Sequence, residues 1–158
     1  MALLEVRMTL RNTRPWIVAV IRLAGLAIFV LAFLQPGVAR EGQTYVGWKC
    51  ASVAASFEQN LILKPGGHHE SFEFLAALSG LINLLVPFTI VASPICALLV
   101  LRRIFAVAIV GCMIATWALF AQQQISPLVG HIMWIAGALL VVVPDAFPSR
   151  RPIDASRV

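Results

Sequence analysis

The feature that most constrains this chain is the distribution of its apolar residues. They come in long, nearly charge-free blocks, without the period-2 or period-3.6 interruption that a half-solvated strand or helix requires. The blocks run from Trp16 to Leu34, Phe72 to Leu101, Ile104 to Ala121 and Leu128 to Val143. A soluble domain typically has about 25% charged residues to clothe its surface, whereas this chain is 12% charged and 60% hydrophobic. The expected fold is therefore an all-α membrane protein with four transmembrane helices in a single membrane domain. A hydrocarbon layer of ~30 Å is crossed by about twenty residues at 1.5 Å each.

The punctuation of the blocks sets the expected boundaries. Pro15 suits a first helical turn and Trp16 the headgroup level, so helix 1 is expected over 16–35, stopped by Pro36–Gly37. Its length exceeds a signal-peptide core of about 7–15 residues, which weighs against cleavage after Ala39. A long outer loop is expected over 37–72. Within it Val53, Phe57 and Leu61 recur every four residues, as on one face of a short amphipathic helix that lies on the membrane or caps the bundle. The second block is too long for one span and too short for two. Helix 2 is placed at 74–94 with Pro87 as a kink and Pro94 near its exit, leaving a surplus over 95–101. Helices 3 and 4 are expected at 104–121 and 126–143, with Pro144–Asp145 closing the last and a disordered tail over 148–158.

Charge sets the orientation. Eight arginines (Arg7, Arg11, Arg14, Arg102, Arg103, Arg150, Arg151 and Arg157) flank the apolar blocks on one side, against Arg40, Lys49 and Lys64 on the other. By the excess of Lys and Arg in cytoplasmic loops, both termini belong inside, in a plasma or bacterial inner membrane. The formal charge of +5 does not imply nucleic acid, because the basic residues form no single stripe or face.

Few polar residues enter the blocks. Arg22 lies about 9 Å into helix 1 from Trp16 by rise alone, a depth from which its guanidinium can snorkel to the headgroups. A substrate role is the minor alternative. Asn83 falls near the middle of helix 2, where an amide needs an interhelical hydrogen bond or a ligand. His131 enters helix 4 near its outer end, within possible reach of an outer rim formed by His68, His69 and Glu73. Two imidazoles and a carboxylate suit a transition metal, but no dense ligand motif supports that over a polar rim. No other cofactor is implied. Of the cysteines, Cys96 and Cys112 lie in apolar blocks as packing residues, and Cys50 has no second cysteine in its loop. Ala76 with Gly80, Gly111 with Ala115, and Ala136–Gly137–Ala138 allow close helix approach.

Four spans, a long first outer loop and Gly47–Trp48–Lys49–Cys50 resemble the claudin arrangement, whose loop carries Gly-Leu-Trp followed by paired cysteines. The resemblance covers only these few residues, the second cysteine is missing and the spacing differs, so it implies no junctional role. No catalytic or nucleotide-binding motif occurs. The reading that follows is a non-enzymatic accessory or structural subunit, whose partners are the lipid bilayer and either a larger membrane protein or its own copies. The alternatives are a small transporter or channel with Arg22, Asn83 and His131 along its path, and an outer-face metal or redox enzyme.

Overall fold

The computed structural model describes residues 2–63, 70–92 and 99–146. In chain order it contains α1 (Ala2–Ala32), β1 (Pro36–Arg40), β2 (Gln43–Val46), α2 (Gly47–Leu63), α3 (Ser71–Ala92), α4 (Leu99–Gln123), β3 (Ser126–Pro127) and α5 (Val129–Ala146). The protein is mostly helical, as its apolar blocks require, but it is not all-α. A small antiparallel sheet of order β2-β1-β3 closes one end of the bundle.

The sheet corrects the reading of residues 37–72 as a loop with one surface helix. Arg40 pairs with Gln43 across a two-residue turn in which Glu41 and Gly42 both have positive φ, 52° and 77°. Turns of that hand match the natural twist of the flanking strands, and glycine at the second position removes the Cβ penalty there. β3 then adds to the free edge of β1, with Val38 opposite Pro127 and Ala39 opposite Ser126. The proline sits at an edge position, where its missing N–H costs the ladder nothing.

The helices also differ from the expectation of four spanning helices. Among the described residues two helices are long and apolar enough to cross a membrane, Ser71–Val91 in α3 and Val100–Gln123 in α4. The apolar stretches Trp16–Ala32 of α1 and Val129–Pro144 of α5 are shorter. The reason lies at the sheet. The last turn of α1 tightens, with Phe33, Leu34 and Gln35 donating to Val30, Leu31 and Ala32, and the chain turns into β1 at Pro36. β3 likewise takes Ser126 and Pro127 before α5 begins. Of the surplus after helix 2, residues 99–101 form the first turn of α4, while 95–98 lie outside the described residues, as do Cys96 and the tail over 148–158.

α1 and α5 pack backbone against backbone at Gly25 and Gly137. A Cβ on Gly137 would lie 2.6 Å from the Phe29 nitrogen and 2.7 Å from the Gly25 oxygen, closer than any side chain permits. Gly111, by contrast, faces open space. The core joins Phe29, Ile82, Val86, Ile109, Met113, Ala138 and Val141 from α1, α3, α4 and α5. α2 contributes no fully buried residue. It lies along α3, with Ala54 and Glu58 against Gly80 and Phe57 edge-on to Phe72 at 5.8 Å. Its N-terminus is tied to the end of α1, where the Gly47 and Trp48 N–H groups donate to the Gln35 and Phe33 carbonyls at 2.9 and 3.0 Å. Orphan donors of one helix thus satisfy carbonyls just beyond another. At the same end α4 closes with Gln124 at φ 53° and Ile125 donating to Phe120, a Schellman arrangement.

Candidate functional site

Beneath the sheet, between α2 and the four longer helices, is a cavity of about 360 Å³. Its position follows from the unequal helix ends. α1 and α5 stop short while α3 and α4 continue, tied to each other by a 2.8 Å hydrogen bond from Gln122 Nε2 to Ser71 Oγ. The sheet and α2 cover the recess this leaves, and the cover does not fill it.

The floor is formed by buried Ala32, Ala76, Thr116, Phe120, Gly130 and His131, with Ser79, Asn83 and Trp134 half-buried beside them. Exposed Arg40, Tyr45 and Lys49 form the opposite end. The cavity therefore has an apolar floor and a wet, polar mouth. Gly130 is required at the floor, since a Cβ there would come within 2.7 Å of the Pro36 carbonyl.

Three groups give the floor its polarity. The Trp134 indole N–H donates to Asn83 Oδ1 at 2.9 Å, joining α5 to α3 and leaving the Asn83 amide nitrogen as a donor. The Thr116 hydroxyl donates to the Cys112 carbonyl at 2.9 Å, one turn back in its own helix. His131 is only 7% exposed and is enclosed by aromatic rings: Phe120 at 4.6 Å, Trp134 nearly parallel at 5.4 Å and Trp117 at 5.9 Å. Its Nε2 is buried with no hydrogen-bond partner among the described residues. A buried polar atom left without a partner normally costs free energy, so this nitrogen is the polar atom of the floor with hydrogen-bonding capacity to offer a small molecule.

Cys50 lines the wall nearer the mouth, its thiol 4.0 Å from the Tyr45 carbonyl. Burial raises its pKa above the ordinary thiol value, partly offset by a backbone hydrogen bond, so the neutral thiol is favoured.

The residues singled out from the sequence divide. Asn83 and His131 meet in this cavity, whereas Arg22 lies half-buried along α1 and is not among its walls. The three polar intramembrane candidates therefore do not share one cavity. Glu73 is in the first turn of α3 and is also not a wall residue, and His68 and His69 lie outside the described residues. Among the described residues no three His, Cys, Asp or Glu side chains are grouped to hold a metal ion. Trp134 lies in no motif that singles it out in the sequence. A usable signal was present, since His131 and Trp134 on α5, like Trp117 and Phe120 on α4, are three apart and share a helix face.

Fold and site together define a small, mostly helical protein with, among the described residues, two helices long and apolar enough to cross a membrane and an aromatic-floored cavity under a small sheet. No family model matches the chain, and comparison with curated proteins and with solved structures returns no similar protein.

Proposed function

We propose that this is a four-span integral membrane protein that binds a small, largely apolar molecule in the cavity beneath the sheet, acting as a non-enzymatic accessory subunit. The spans are the apolar part of α1 together with α3, α4 and α5. Both termini are cytoplasmic and the sheet faces the opposite side. Large apolar side chains exposed around the bundle support the embedding, among them Leu23 and Val30 on α1, Leu84 and Phe88 on α3, Val107 and Ile114 on α4 and Ile132 on α5. Only 33% of the most apolar stretch of α3, and the same of α4, is buried within the protein, so lipid accounts for the remainder better than water does. The shorter α1 and α5 fit a locally thinned bilayer or flanking residues that snorkel.

The observation that carries the binding role is the convergence on one largely apolar cavity of Asn83, Trp134 and His131, whose Nε2 has no hydrogen-bond partner among the described residues. Ligand sites are typically of this kind, concave and apolar with a few well-placed polar groups, in the range of about 300–1,000 Å³. Two measurements test the proposal. Membrane-impermeant maleimide applied to intact cells is expected to label Cys50, which lies on the sheet side, and to leave buried Cys112 unmodified. Labelling only after the membrane is opened would overturn the orientation. Mass spectrometry of small molecules that co-purify in mild detergent is expected to show a species enriched with the wild type and lost from Ser79→Phe, which fills the cavity from α3. Recovery of the same molecules from both proteins, or of none from either, would refute the binding role.

A further inference from the structure

We infer that the ligand of this cavity is an amphipathic anion, its carboxylate or phosphate head held by Arg40 and Lys49 and its apolar body lying against Phe120, His131 and Trp134. The inference rests on the binding role proposed above and specifies its substrate class. Exposure grades along the cavity, from a floor of buried apolar and aromatic side chains to a mouth of exposed polar ones. A ligand matching that gradient has one apolar end and one hydrated end. The sign of the charge at the hydrated end follows from the walls. Among the described residues the charged walls are Arg40 and Lys49, both cationic, and no carboxylate lines the cavity.

The nearby acids do not cancel this field. Glu41 approaches Arg40 through Nε alone, at 3.2 Å, and is 80% exposed in water. A guanidinium has five N–H donors in a fixed fork, so the terminal nitrogens stay available for the bidentate contact that carboxylate and phosphate favour. Lys49 Nζ lies 5.7 Å from the centre of the Trp48 ring, a contact that leaves its three N–H donors unused. Glu58 lies one turn beyond the wall residue Ala54 on the same face of α2, where it is directed at Gly80, and neither it nor Glu70 and Glu73 at the start of α3 lines the cavity. An exposed ion pair changes affinity by up to roughly fivefold, so two cations acting on one head group predict a preference of about tenfold for the anion.

The experiment uses the purified full-length chain in nanodiscs of zwitterionic phosphatidylcholine, titrated with dodecanoate, dodecanol and dodecyltrimethylammonium. Tryptophan fluorescence is the readout, and Trp134→Phe assigns the part of the signal that comes from the cavity. Because the probes partition differently into lipid, the quantity compared is the acid-to-alcohol ratio of half-saturating concentrations in the wild type against Arg40→Gln/Lys49→Gln. The expected result is a ratio about tenfold more favourable to the acid in the wild type, narrowing in high salt because the head-group contacts are exposed. An equal ratio in the two proteins, or stronger binding of the trimethylammonium probe, would overturn the anion inference and leave the cavity's binding role intact. No Trp134-dependent response to any probe would overturn both. Replacing part of the phosphatidylcholine by phosphatidylglycerol then identifies the source. Displacement of dodecanoate points to a lipid head group of the leaflet, and unchanged binding to a free amphiphile; either result keeps the anionic class.

Discussion

Substituting Gly137 by alanine tests the packing that holds α1 against α5. The new Cβ would sit 2.6 Å from the Phe29 nitrogen, 2.7 Å from the Gly25 oxygen and 2.8 Å from the Phe29 Cα, and all three are backbone atoms with no rotamer to yield. Ordinary contact begins at 3.4 Å, so α1 must retreat by about 0.6–0.8 Å. A gap of that size forfeits roughly a quarter to a half of the dispersion well of each contact it opens. On the proposed four-span embedding this loss is the main one, because helices in a bilayer associate through packing rather than through hydrophobic expulsion from water. Overpacked sites lose about 1–3 kcal/mol, and the same is expected here. Gly111→Ala is the internal control. Nothing lies within 4 Å of its Cβ position, so alanine there is expected to be neutral or to gain about 0.5–1 kcal/mol from helix propensity. The assay is reversible unfolding of the purified variants in mixed micelles with increasing dodecyl sulfate, followed by circular dichroism. Gly25→Ala meets Leu140 Cβ at 2.7 Å in the same interface, so the double variant with Gly137→Ala should lose less than the two single losses combined, since one retreat accommodates both. If Gly137→Ala proves as stable as Gly111→Ala, the close approach of α1 and α5 is wrong.

Two further outcomes follow from the site and its cover. Asn83→Leu leaves the Trp134 N–H without its acceptor, and Trp134→Phe leaves the Asn83 carbonyl without its donor; a double-variant unfolding cycle should return a coupling of about 0.6–1.5 kcal/mol, and additive losses would show that the 2.9 Å bond contributes nothing. One oxygen of Glu58 is enclosed against Gly80, and burial raises its pKa above the ordinary 4.5. A folded carboxyl with a raised pKa binds more protons than its unfolded form, so its contribution to stability is present below pH 4.5 and lost as pH rises through the folded value. Glu58→Gln should flatten that part of the stability–pH curve, measured by thermal unfolding between pH 4 and pH 7, and a variant curve parallel to the wild type would refute the assignment.

Much of the helical content could be read directly because it is a local property. An uninterrupted apolar block leaves the backbone no favourable solvent contact in lipid, and a helix satisfies its N–H and C=O groups within the segment. The period-four spacing of Val53, Phe57 and Leu61 similarly points to α2. The sheet was less legible. Glu41–Gly42 is a turn signal of the Asp-Gly type, but β1 and β2 are 5 and 4 residues long and contain little strict alternation. β3 is only Ser126–Pro127, which no local pattern distinguishes from an ordinary turn. Its pairing with Val38 and Ala39 depends on where α4 and α5 place it.

The cavity shows the same division more sharply. The sequence placed Asn83 and His131 inside apolar blocks, where polar side chains need partners, because the cost of an unsatisfied polar group in a low-dielectric medium depends only on burial. Which partner each finds is decided across the bundle. Asn83 meets Trp134, 51 residues away, and His131 is enclosed by rings from α4 and α5, while Arg22, the most conspicuous charge in the sequence, lies outside the cavity altogether. Glycine spacing alone did not separate Gly137, packed on a neighbouring backbone, from Gly111, which faces open space. Composition settles where a segment can reside, through the transfer of its side chains from water. Register, facing and the recess beneath the sheet come from how far each helix runs before its end is tied to another, and that is a tertiary property.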